Sequence, residues 1–162
     1  MTAPVVVFAV GNPSRGDDAI GPELCGRLAE WLGSEGLADG VELIEDFQLQ
    51  IEHALDLKGR QIALFIDAGL RTPGPYTFRR IAPATGMALT THELPPEAVL
   101  QVYMQTEDGE PPPAFVLCVR GEEFELGAPL SPAVLSHVED AFTLLQSLCR
   151  QPAPTAWEQA TA

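Results

Sequence analysis

Three unbroken apolar runs set the terms on which this chain can fold: Val5-Val6-Val7-Phe8-Ala9-Val10, Ile62-Ala63-Leu64-Phe65-Ile66 and Ala114-Phe115-Val116-Leu117-Cys118-Val119. A strand with one face in water alternates apolar and polar side chains, whereas a strand covered on both faces does not. The first two therefore read as strands of a sheet buried from both sides, and the third as the last strand. Helical periods lie between them. Ile20, Leu24, Leu28 and Leu32 recur at every fourth position with Trp31 beside them, the pattern of an amphipathic helix. Asp17 or Asp18 is placed to cap its start, and Pro22 falls in the first turn, where proline is tolerated. Residues 41–44 form a short second strand, and residues 48–57 a helix with Ile51, Ala54 and Leu55 inward, ended by Lys58-Gly59. Residues 75–81 alternate less cleanly and are predicted as a strand nearer an edge. Pro95-Pro96 opens a helix carrying Val99, Leu100, Tyr103 and Met104. Ser131-Pro132 caps a long helix with Val134, Val138, Phe142, Leu145 and Leu148 inward. The predicted fold is α/β: three layers, α/β/α, around a mostly parallel, five-stranded twisted sheet joined by right-handed crossovers.

At 162 residues with 46% apolar and 20% charged side chains, the chain suits one domain with one proper interior. Residues 1–150 are predicted to form it, and residues 151–162, which lack any period, a flexible tail. No apolar run approaches the roughly 18 residues of a membrane span, and no basic segment precedes the first apolar stretch, so a cytoplasmic protein is expected. Nine Lys and Arg stand against 23 Asp and Glu, a net charge of −14, which makes nucleic acids and anionic membranes poor partners. Cys25, Cys118 and Cys149 are an odd number with no Cys-x-x-Cys spacing, and read as small buried hydrophobes.

The loop Gly11-Asn12-Pro13-Ser14-Arg15-Gly16 follows a strand and precedes a helix, where phosphate loops sit, and its glycines have the matching interval. The Lys and Ser or Thr that must follow are replaced by Asp17-Asp18. Two like charges about 4 Å apart repel by roughly 4 kcal/mol at a surface-like dielectric, so the loop disfavours a triphosphate. The G-x-G-x-x-G spacing of a dinucleotide fold is missing as well. What remains is a carboxylate pair at a helix start. One acid can cap, which leaves the other spare.

In an open parallel sheet, ligands bind beyond the carboxyl ends of the strands, where successive connections leave on opposite faces. Asp18 lies just past the first strand and Asp67 directly follows the Ile62–Ile66 run, so both acids are expected over one crevice. Two ionised carboxylates there call for a cation or a proton between them. His137 reads as solvated, and His53, off the predicted inward face of its helix, as exposed or at a rim. His92, in the irregular Thr-Thr-His-Glu segment after the fourth strand, is the candidate third partner, with Glu93 beside it as a candidate support. Asp18, Asp67 and His92 make an incomplete O,O,N set suited to nickel, iron, manganese or zinc.

The chain resembles the hydrogenase maturation endopeptidases, which trim the C-terminal extension from the large-subunit precursor of nickel-iron hydrogenases. The resemblance spans residues 4–149. It is carried by Val10-Gly11-Asn12-Pro13-Ser14-Arg15-Gly16-Asp17-Asp18-Ala19-Ile20-Gly21, similar to the family's Gly-Asn-x-x-x-x-Asp-Asp/Glu-x-x-Gly signature, by Leu64-Phe65-Ile66-Asp67-Ala68, and by Thr91-His92-Glu93-Leu94. It implies that Asp18, Asp67 and His92 contact the metal and act in catalysis. It further implies that nickel arrives with the precursor rather than as a resident cofactor, and that the protein is a monomeric hydrolase with the precursor as partner. Phe47-Gln48-Leu49-Gln50-Ile51-Glu52-His53-Ala54 looks like a subgroup serving cytoplasmic hydrogenases. The chain departs from the family at Ala9, where many members have Gly, and at Asp46-Phe47-Gln48, where many have a Gly-Gly-Thr turn. The second departure alters the rim and hence which precursor is recognised. A self-sufficient metal hydrolase of a small substrate, and a non-catalytic module that senses nickel or binds the precursor, are the alternatives.

Overall fold

The computed structural model describes residues 2–89 and 94–161. Five strands form one sheet: β1 (Val5–Val10), β2 (Val41–Asp46), β3 (Ile62–Gly69), β4 (Tyr76–Ile81) and β5 (Ala114–Arg120). Their order is β2-β1-β3-β5-β4, parallel throughout except for β4, which runs antiparallel at an edge. The α/β architecture and the edge position of the fourth strand are as the sequence predicts. The helices are α1 (Ile20–Glu35), α2 (Pro96–Thr106), α3 (Leu135–Arg150) and α4 (Pro154–Ala160), with a 3-10 segment at Ile51–Leu57.

The unbroken runs divide by alternation between two cores. Val5, Val7, Ile62, Leu64, Phe115 and Leu117 face α1 and α3, while Val6, Phe8, Ala63, Phe65, Ala114 and Val116 face the 3-10 segment and α2. Every residue of β1 is buried, which is why no polar residue interrupts it. Phe8 and Phe65 stack at 4.8 Å on one face, and Phe78 and Phe115 at 5.4 Å on the other. The connection from β1 to β2 thus leaves on one face and that from β2 to β3 on the other, which puts the topological switch point between β1 and β3.

Three local expectations are corrected. The segment after β2 is a 3-10 helix whose inward side chains are His53, Ala54 and Leu57, while Ile51 and Leu55 are 49% and 66% exposed. A helix this short has no long stripe to orient it, and its inward face is set by packing on Phe8 and α2. Residues beyond 150 are not a loose tail, since α4 drives Trp157, 1% exposed, against Phe115 and Phe78. The indole Nε1–H donates to the Leu148 carbonyl at 3.0 Å, so even the polar end of this side chain is satisfied. Cys25 and Cys149 are buried free thiols, and burial pushes Cys149 up to about 11; Cys118 is half-buried, 3.1 Å from the Thr72 hydroxyl.

Candidate active site

The loop after β1 turns sharply because two glycines allow backbones to touch. A Cβ on Gly11 would lie 2.0 Å from the Asp18 carbonyl oxygen, and one on Gly21 would lie 2.3 Å from that of Val10. The turn Gly16–Ala19 is thereby held against the end of β1, and its two acids point different ways. Neither side chain caps a helix, contrary to the sequence expectation.

Asp17 is 0% exposed. Its carboxylate accepts the backbone N–H groups of Glu122 and Glu123, both at 2.8 Å, the N–H of Ser131 at 2.7 Å and the Ser131 hydroxyl at 2.8 Å. Burial pushes this carboxyl up, but the hydrogen bonds from Ser131, Glu123 and Glu122 outweigh it and hold the group below its ordinary value. Ser131, expected to cap the last helix, spends its hydroxyl on Asp17 instead. The result is a pinned strap, residues 121–131, which carries Phe124 to the cleft.

Asp18 faces that cleft, a space of about 610 Å3 beyond the carboxyl ends of β1 and β3. Its Oδ2 accepts the Asn12 N–H at 2.7 Å. Asp67 lines the same cleft. It does not end its strand as expected: β3 continues to Gly69 beside β5, but its pairing with β1 stops at Ile66. Asp67 is therefore the first residue of β3 without β1 alongside, and its Oδ1 accepts the Ala68 N–H at 2.8 Å. The two acids chosen from sequence thus line one crevice at the switch point.

His92 and Glu93 lie outside the described residues. Leu94 resumes the chain, donating its N–H to the Leu49 carbonyl at 3.2 Å and sharing a smaller hollow with Val10 and Asp67. Among the described residues, no group of three His, Cys, Asp or Glu side chains is close enough to hold a metal ion. His137 is half-buried away from the cleft, with Nδ1 at 3.2 Å from the Arg120 carbonyl oxygen.

Sequence reasoning missed a third acid of the cleft, Asp46, at the end of β2, with Phe47, 62% exposed, at the rim beside it. The signal was present, since the Asp46-Phe47-Gln48 turn is where the chain departs from the family pattern. Among the described lining residues, Arg15 is the one cation against Asp18, Asp46 and Asp67. Such a space favours a positively charged guest and repels phosphate.

No protein-family model matches the sequence, and no curated protein matches it. Among solved structures, the chain is similar to the hydrogenase maturating endopeptidase HybD from E. coli, with TM-score 0.69 and 24% identity over 91% of this chain and 93% of that one. It is also similar to an endopeptidase from Escherichia coli solved in solution, with TM-score 0.67 and 26% identity over 91% and 93% of the two chains. A third likeness is to the [NiFe] hydrogenase maturation protease HycI from Thermococcus kodakarensis KOD1, with TM-score 0.64 and 20% identity over 93% and 94%. The fold is that of an α/β maturation protease. More particularly, it is the fold of the hydrogenase maturation endopeptidases, whose resemblance the Gly-Asn and Asp-Asp block already carries.

Proposed function

We propose that this protein is an endopeptidase that removes the C-terminal extension of a nickel-iron hydrogenase large-subunit precursor after nickel insertion. Asp18, Asp67 and His92 engage the nickel that the precursor brings, and the ion then polarises the scissile carbonyl or activates a water for hydrolysis. The observation that carries this reading is the meeting of Asp18 and Asp67 in one acidic cleft at the sheet's switch point. Two carboxylates that line one crevice suit a cation delivered from outside. His92 rests on the family resemblance, with support from Leu94, two residues on, which shares a hollow with Asp67.

The test is mass analysis of a nickel-loaded precursor before and after mixing. Wild-type protein is expected to shorten it and to leave the nickel-free precursor intact. Asp18→Asn, Asp67→Asn and His92→Ala are expected to keep the fold by circular dichroism and to lose processing. Cleavage at wild-type rate by all three variants refutes the assignment of the site. Binding without shortening points to a holding module, and turnover of generic peptides with added metal alone points to a self-sufficient hydrolase.

A further inference from the structure

Nine Lys and Arg serve a chain of net charge −14, and among the described residues all of them but Arg15 and Arg71 form ion pairs with carboxylates. Of these two, Arg15 lines the acidic cleft. It shares that space with Asp18, Asp46 and Asp67, yet among the described residues its guanidinium has no ion pair or hydrogen bond. The root of the side chain is fixed all the same. The Arg15 N–H donates to the Asn12 carbonyl, and the Arg15 carbonyl accepts the Asp18 N–H, both at 3.1 Å. On either side, the Ser14 carbonyl accepts the Gly127 N–H at 2.6 Å, and the Gly16 N–H donates to the Ala128 carbonyl at 2.9 Å. One pinned turn therefore carries both Asp18 and a cation that no protein carboxylate neutralises.

Charge decides what such a cation is for. Asp18, Asp46 and Asp67 line the cleft, and a divalent nickel brought by the precursor cancels the charge of two carboxylates, leaving one in surplus. Hydrolysis then builds a new negative charge in the same space. The water oxygen bonds to the scissile carbonyl carbon, the π pair of the C=O bond moves onto the carbonyl oxygen, and one water proton leaves. As that oxyanion collapses, the C=O bond re-forms, the C–N bond breaks and the proton ends on the departing amine. The surplus carboxylate opposes the oxyanion, and a cation beside it offsets that repulsion. We infer that Arg15 is a catalytic residue whose guanidinium pairs with the oxyanion formed at the scissile carbonyl. This rests on the proteolytic reading proposed above. A guanidinium keeps its charge at any working pH, and Arg15 breaks no ion pair of its own to reach the reacting oxygen.

The experiment is single-turnover cleavage of nickel-loaded precursor, with protein in excess, by wild type, Arg15→Lys and Arg15→Gln. It reads the maximal rate constant and the protein concentration at half-saturation separately. The ground-state carbonyl carries only a partial charge and the oxyanion a full one. Arg15→Gln is therefore expected to lower the maximal rate roughly 10- to 100-fold and to leave half-saturation within about twofold. An enclosed oxyanion donor is worth roughly 100- to 1,000-fold, and the smaller loss reflects the exposure of Arg15 to water. Arg15→Lys keeps the charge and is expected to stay within about fivefold of wild type. Both variants are expected to unfold at the wild-type temperature, since the side chain holds no partner in the fold.

A wild-type maximal rate in Arg15→Gln, or equal losses in Arg15→Lys and Arg15→Gln, would overturn the inference. So would a loss confined to half-saturation, which makes Arg15 a docking contact instead. In each of these outcomes wild-type protein still cuts, so the proteolytic reading stands and the role of Arg15 alone falls. If wild-type protein leaves the precursor full length, the proteolytic reading fails and takes this inference with it.

Discussion

Asp17 and Asp18 are chemically identical neighbours separated in role by what reaches them. Four donors converge on Asp17, whereas Asp18 receives the Asn12 amide and opens to the cleft. Asp17→Asn replaces an acceptor by a group that also carries N–H bonds, so it leaves buried donors facing a donor. It is expected to lower stability by roughly 3 kcal/mol at neutral pH, measured by urea unfolding. The pKa of Asp17 in the folded state is held below its ordinary value, so its contribution is complete above the unfolded pKa of about 3.9 and is lost as pH falls through the folded value. The gap between wild type and Asp17→Asn is accordingly expected to close below about pH 4. The sequence shows that one acid of the pair is spare. It does not show which, because the partners of Asp17 lie 105 to 114 residues further along the chain.

Elements were legible where periodicity is long or apolar character unbroken. β1 and the frame of α1 follow directly from Val5–Val10 and from the four-residue spacing of Ile20, Leu24, Leu28 and Leu32. The 3-10 segment was misoriented because seven residues give too few turns for a face to declare itself. α4 was missed for a different reason. Pro152 and Pro154 suggest a broken tail, yet Pro154 occupies the first helical turn, where proline is favoured, and a single large anchor suffices to dock the helix. Trp157→Ala is expected to cost about 3–5 kcal/mol in denaturant unfolding, with Trp157→Phe costing less because the ring contacts are partly kept. A cost near zero would mean that α4 is not part of the folded core.

At the scale of the molecule, the sheet separates two cores, and the cleft lies between β1 and β3, where the β1–β2 and β2–β3 connections take opposite faces. The class of site was legible from that topology and from two acids at strand ends; Asp46 was not, because its strand is short and gives no long apolar run to mark its end. Among the described residues, no helix is long and apolar enough to cross a membrane. The net charge of −14 keeps copies apart at neutral pH, and the sequence pI of about 4.4 places the loss of that repulsion in the acid range. Light scattering during a pH titration is expected to rise most steeply near pH 4.4, just above the range where Asp17 begins to release its donors. The back-to-back setting of Asp17 and Asp18 has a mechanical outcome. The short turn between them cannot swivel to chase a guest without unplugging one carboxylate from its socket, so Asp18 is a stationary post, and any adjustment during docking falls to the incoming molecule or to the opposite bank.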